Sequence, residues 1–328
     1  QGKELAFSEE DRYEDFIRYL QKKDPSVAEY FWNEYMQGVE EATLLPFAKS
    51  VNNRNKSGNQ YGKEKWSIEE PLQEDLQRYV QKQRLTLNTL IQGVWAYLLY
   101  RYTGRQHPVY GVTVAGRPTE LPASESRIGL FINTLPLHAG IEERQRVVDW
   151  LTSLQEGHSK AREHAYTPLS AIQHWLGVKG DLFDTLLVFE NYPVGEVFSK
   201  DWGVQVDSLL MEEQTNYPLT ITVQTGRKLS VEFGYKTNLL SQETVMRIRS
   251  HFAQVLQQII RQPELQLSEL ELVTPAEREE LLYSFNATEV AYPLDKTLVD
   301  LFEEQVNRTP NAVAVVFEGE ELTYRELD

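Results

Sequence analysis

LNTLIQGVWAYLLYRY (87–102) is followed, after TGRQ, by HPVYGVTVAG (107–116). In the first stretch Leu87, Leu90, Ile91, Val94, Trp95, Leu98, Leu99 and Tyr102 recur at the 3.6-residue helical period for about four turns. So many large apolar residues predict a central helix buried over most of its circumference. The second stretch reads as a buried strand that ends at GRP (116–118). Working outward, LFINTLPLH (130–138) reads as a strand interrupted by Pro136, and TLLVFE (185–190) as a short apolar strand. Leu219, Ile221 and Val223 alternate with polar residues, as do Leu229, Val231, Phe233 and Tyr235; Thr225-Gly226-Arg227 between them signals a β-hairpin.

Helices flank these strands. Residues 144–163 put Val147, Val148, Leu151 and Leu154 inward, and residues 241–260 align Val245, Ile248, Phe252, Val255, Leu256 and Ile259. Near the start, about Glu9 to Lys23 carries Tyr13, Phe16, Ile17 and Leu20 on one stripe, and Pro25 ends it. A second helix presents Val27, Phe31, Trp32 and Tyr35, with Gly38 as its C-terminal cap. Residues 48–64 read as a polar loop between two short strands, and 70–84 as a weakly amphipathic helix. Long helices with mostly antiparallel strands describe an α/β (α+β) sandwich: a mixed, mostly antiparallel sheet with helices.

Three segments follow from this. Residues 1–262 form the main domain. Residues 263–296 hold several prolines and little strand signal, and read as a linker with one short helix at about 275–284. Residues 297–328 carry a helix (Leu298, Leu301, Phe302, Val306), then a strand, a Glu-Gly turn and a second strand, a piece too small to bury its own apolar face.

The 328 residues carry a formal charge of -16, which disfavours nucleic acid and anionic membrane as partners. Cysteine is absent, which removes disulfides, thiolate catalysis and cysteine-based metal sites. Gln1 to Glu10 lacks a signal-peptide pattern, and no apolar run approaches the ~20 residues of a membrane span. The expectation is a soluble, cytoplasmic protein.

The specific signal lies in short words. RYEDFIRYLQ (12–21), VAGRP (114–118) with RIGLFINTLPL (127–137), EHAYTPLSAIQ (163–173), LLVFENYP (186–193) and EQTNYPLTITV (213–223) resemble, in order, motifs of the condensation domains of non-ribosomal peptide synthetases. TLVDLFEEQVNRTPNAVAVVFEGEELTYREL (297–327) resembles the opening of an adenylation domain, and TPAEREELLYSFNAT (274–288) the linker between the two. The resemblance implies a lobe like chloramphenicol acetyltransferase, the C-terminal one of a pair with a tunnel between them. It implies amide formation between aminoacyl or peptidyl thioesters held on the 4'-phosphopantetheine arms of donor and acceptor carrier proteins, as in antibiotic and other secondary-metabolite synthesis. No cofactor or metal bound directly is implied. The implied partners are the N-terminal lobe, the two peptidyl carrier proteins and the adjoining adenylation domain.

In that family an HHxxxDG motif supplies a histidine that orients or deprotonates the attacking amine. Here the histidines are His107, His138, His158, His164, His174 and His251; none are neighbours and none precedes xxxDG. The motif is expected upstream of Gln1, and the chain alone is expected to form no peptide bond. The resemblance places Asn133 on a tunnel-facing strand, against the competing reading of a strand asparagine satisfying local backbone. It gives Arg117 the Asp of the missing motif, or the lobe interface, as its partner; a surface arginine is the alternative. Asn216 and Tyr217 are either tunnel wall or an ordinary strand start. His164 reads as a helix-end histidine. Lys22, Lys23 and Arg18 form a candidate basic docking patch for carriers. The isolated lobe is expected to expose an apolar surface and so to self-associate weakly or to be marginally stable. The rival function is a condensation-like docking platform without catalysis. A whole adenylation enzyme is excluded, because only about thirty of its residues match and no phosphate loop is present.

Overall fold

The central helix, α4 (Leu87–Thr103), starts where Thr86 accepts a hydrogen bond from Thr89 N at 3.0 Å and ends at Gly104, whose φ of 69° is left-handed. Thr89 through Leu99 are all buried, as the apolar run predicts. Gly93 lets α4 approach a neighbouring helix: a Cβ there would lie 2.1 Å from Leu151 Cδ2.

The computed structural model describes residues 13–49, 60–118, 120–190, 214–225, 228–291 and 293–328. The chain forms two compact units, Gln1–Thr274 and Pro275–Asp328. In the first, α1 (Tyr13–Gln21) and α2 (Pro25–Tyr35) precede β1 (Tyr61–Ser67), α3 (Glu70–Gln83) and α4. Then come β2 (Val109–Val114), β3 (Asn133–His138), α5 (Val147–Glu163), α6 (Leu169–Trp175), β4 (Thr185–Glu190), β5 (Leu219–Thr225), β6 (Leu229–Lys236) and α7 (Gln242–Arg261). The sheet order is β1-β6-β5-β4-β2-β3. Pairings β1/β6, β5/β6 and β2/β3 are antiparallel; β4 runs parallel to both β2 and β5. The sheet is therefore mixed with an antiparallel majority. Trp95 ties α4 to it, donating from Nε1 to Thr185 Oγ1 at 3.2 Å, and α7 packs on β1 and β6.

Several local expectations change. Pro136 does not interrupt β3 but lies inside it, opposite Gly111. β3 is an edge strand, where a missing N–H costs no ladder bond. Val27 is 55% exposed and Val148 half-buried, whereas Trp150 and His158 of α5 turn inward. Strand β1 starts within the stretch read as a loop; residues 50–59 lie outside the described residues, as do the turn residues Gly226 and Arg227 and the start of the first helix. On its near side that loop has only an isolated bridge, Thr43 to Phe183. Beyond α7, Leu267 and Leu270 are each 1% exposed in the same core, and Tyr97 Oη donates to Leu270 O at 2.6 Å.

The second unit holds α8 (Pro275–Glu279) running into a π-type turn (Glu280–Ser284), α9 (Leu298–Arg308), β7 (Val313–Phe317), β8 (Glu320–Thr323) and α10 (Tyr324–Leu327). Thr297 with Asp300, and Thr323 with Glu326, form reciprocal capping boxes at α9 and α10. None of its described residues is buried.

Candidate functional site

At the end of β2 the chain turns through Gly116 at φ +59°, where a Cβ would lie 2.0 Å from Phe131 O; only glycine fits. Arg117 follows. Its Nη1 donates to Ser124 O and to Arg127 O, and its guanidinium carbon sits 4.1 Å from the centre of the Phe131 ring. Phe131 packs on Phe16 (4.6 Å) and edge-on to Tyr13 (5.3 Å). Tyr13 Oη donates to Leu130 O at 2.6 Å, and Arg127 pairs with Asp15 at 3.2 Å. Helix α1 thus clasps residues 127–131. Ile128, Leu130 and Ile132 remain 83%, 74% and 57% exposed, an apolar strip of the kind a partner surface covers.

Asn133 opens β3 opposite Val114. Its Nδ2 donates to Ala165 O and to Thr167 O, both at 2.8 Å, and its Oδ1 accepts Thr134 N at 2.9 Å. Arg117 lines a cleft of about 740 Å³, walled by Tyr19, Lys23 and Asp24, by Val114 to Pro118, and by Arg162 to Tyr166, and Asn133 reaches this wall only through its bond to Ala165 O. Lys23 Nζ lies 4.5 Å and 5.2 Å from the ring centres of Tyr19 and Tyr166, and 4.0 Å from Glu120. The hydrogen bond with Tyr19 raises the Lys23 pKa above its ordinary value, with Glu120 adding to the effect, so the group is a cation at neutral pH. His164 stacks on Phe31 at 4.1 Å, and burial lowers its pKa. The supposed basic patch is split: Arg18 pairs with Glu14 at 2.6 Å, while Lys23 faces the cleft.

Asn216 and Tyr217 lie elsewhere. Because β2, β4 and β5 run parallel, residues before β5 sit at the end of the sheet opposite Arg117, about 20 Å away by strand rise. There Tyr217 stacks on Phe183 at 5.6 Å, and the exposed Asn216 accepts Lys236 Nζ at 2.7 Å through its carbonyl. No two histidines are neighbours in the sequence, but the fold pairs two that are distant in the chain. His107 Nδ1 and His138 Nε2 are 3.0 Å apart, and His138 Nδ1 is 2.9 Å from Tyr35 O. A carbonyl only accepts, so His138 carries its proton on Nδ1 and accepts from His107. Burial lowers the His138 pKa, which favours this neutral arrangement. The register of β2 against β3 creates the pair, which no spacing rule would find. Among the described residues no three side chains converge as a metal site.

His158 on α5 gives a pH prediction. Burial takes its pKa from 6.5 down to about 4. The unfolded chain then gains the proton first, so the folded state is favoured above pH 6.5 and loses about 3 kcal/mol as pH falls to about 4. Thermal midpoints across that range are expected to fall less steeply in His158→Leu than in the parent; parallel curves would refute the assignment.

The family profile described as Condensation domain matches residues 1–282. The chain belongs to the condensation-domain family. A linear gramicidin synthase of Brevibacillus parabrevis is 38% identical over 331 residues, covering 100% of this chain and 4% of that protein. Bacitracin synthase 3 of Bacillus licheniformis is 34% identical over 332 residues, covering 100% of this chain and 5% of that protein. This condensation domain thus spans a small fraction of such relatives. Among solved structures, a four-domain nonribosomal peptide synthetase bound to AMP and glycine aligns with TM-score 0.73 at 16% identity, over 93% of this chain and 24% of that one. The X-domain in complex with OxyB from teicoplanin biosynthesis aligns with TM-score 0.63 at 18% identity, over 80% and 59%. Both likenesses concern the fold. Residues of the words VAGRP and EHAYTP of this condensation domain line the cleft, and FINTLP meets EHAYTP through the bonds of Asn133, whereas 191–193 of LLVFENYP and Glu213 lie outside the described residues. No described helix is long and apolar enough to cross a membrane.

Proposed function

We propose that residues 1–262 are the C-terminal lobe of an amide-forming condensation domain, 263–296 the linker, and 297–328 the opening of an adenylation domain in a cytoplasmic synthetase module. The carrying observation is the cleft lined by Val114 to Pro118 and by Arg162 to Tyr166, with Asn133 bonded to the 165–167 backbone, so that three separated signature words are brought together in a sequence without HHxxxDG. In this reading the preceding lobe brings that motif to the cleft. The acceptor amine attacks the donor thioester carbonyl; a C–N bond forms, the C–S bond breaks, and the donor arm leaves as a thiol. The amine proton passes to the motif histidine, which returns it to the departing thiolate. This chain contributes wall and alignment. Arg117 has further donors, on Nε and Nη2, for the motif's Asp. Asn216 and Tyr217, at the far end of the sheet, do not line this cleft and have no part in this reading. Both substrates arrive on 4'-phosphopantetheine arms of peptidyl carrier proteins.

Donor and acceptor carriers, loaded and mixed with this chain, are expected to give no dipeptide by intact mass, and to give dipeptide when the chain is joined to its preceding lobe. Product from this chain alone would sink the reading. The fold likeness to the X-domain seen in complex with OxyB supports the second reading, a docking platform. Two joined lobes that bind a partner enzyme but make no dipeptide would establish it.

A further inference from the structure

The Asn133 side chain is spent entirely on backbone. Its two amide hydrogens go to carbonyls two residues apart, those of Ala165 and Thr167, while Oδ1 takes the adjacent Thr134 N–H. Two donors on one atom and an acceptor on the other is a pattern that only a primary amide supplies among uncharged side chains. The bonds cross from the edge strand β3 to the turn after α5, so the words FINTLP and HAYTP are joined at one atom. With its polar atoms turned onto backbone, Asn133 is committed to the protein rather than to a ligand.

We propose that Asn133 is a positioning residue for condensation, acting on the cleft through the 165–167 turn and not by touching substrate. The turn carries Tyr166, whose ring faces Lys23 Nζ at 5.2 Å and whose hydroxyl lies 3.5 Å from His164 Nδ1. His164 in turn stacks on Phe31 of α2. Releasing the two carbonyls frees Tyr166 and His164 together, and the wall that aligns the reacting groups moves with them. A misplacement of about 1 Å at such a wall costs on the order of 100-fold in rate. This inference rests on the condensation reading above, and its test separates the two.

The test uses the intact synthetase module carrying Asn133→Ala. Hydrogen exchange is expected to quicken at Ala165 and Thr167, whose amides bond to Arg162 O and His164 O, and to stay unchanged in the central helix. The His164 ring should titrate closer to an ordinary histidine as its stack loosens. Dipeptide formation should fall about 100-fold in kcat with KM for the acceptor carrier nearly unchanged. Asn133→Asp keeps the shape but sets a carboxylate against two carbonyls; its exchange at 165 and 167 should be at least as fast as in the alanine variant at the same neutral pH. Unchanged exchange at 165 and 167 in both variants overturns the inference, and so does a released turn with unchanged kcat. A parent module that makes no dipeptide while the turn still responds to both variants overturns the condensation reading instead.

Discussion

Trp95→Ala is expected to lower the unfolding free energy by about 3–5 kcal/mol, the range for truncating a fully buried aromatic residue. Trp95 is 0% exposed, on the stretch of α4 that is buried all round. Two losses combine. The ring leaves a cavity bounded by a helix packed too closely to collapse, since Gly93 already brings Leu151 against the backbone. Thr185 Oγ1 on β4 also loses its donor. Trp95→Phe keeps most of the ring and isolates the second loss, at about 1–2 kcal/mol. Domains of this kind hold about 5–15 kcal/mol in total, so the alanine variant forfeits roughly a fifth or more. Urea midpoints followed by far-ultraviolet circular dichroism decide it; a loss below about 1 kcal/mol would mean that α4 is not the core element described.

Gly116→Ala is expected to cost about 3 kcal/mol, and to do so at the cleft rather than in the core. A left-handed φ costs an L-residue about 1–2 kcal/mol. The added methyl also meets the Phe131 carbonyl at 2.0 Å, and backbone cannot swing away as a side-chain tip can. Residues 127–131 must shift, breaking the Arg117–Phe131 contact and loosening the clasp of α1. Gly104→Ala is the control. Its φ is +69° but a Cβ there meets nothing within 4 Å, so it carries the conformational cost alone. Equal losses in the two variants would show that the Gly116–Phe131 approach does not constrain the fold.

The parts legible in the sequence were those set by local periodicity. The α7 stripe and the β5/β6 alternation each face one surface, and a period reports that directly, while α4 was legible as an apolar run dense enough to be buried all round. What the sequence left open depends on strand order. Pro136 read as an interruption because edge status is a tertiary property; with β3 at the margin the proline is harmless. Leu267 and Leu270 lie near prolines without a period, yet they fill the core. Arg117 and Asn133 converge because Val114 pairs with Asn133, whereas Asn216 and Tyr217 precede a strand parallel to β4 and fall at the other end. Glu120 and Arg162 of the cleft carried no signal of their own: Arg162 is placed by the end of α5 and Glu120 by the chain after β2.

The central claim is that this chain is one of two lobes, with its cleft and apolar strip completed by the other. Hydrogen exchange compares the chain alone with the same residues inside the two-lobe domain. The account predicts that exchange at residues 127–133, around the exposed Ile128, Leu130 and Ile132, slows markedly in the two-lobe domain while the α4 core stays unchanged. Equally fast exchange at 127–133 in both would contradict it.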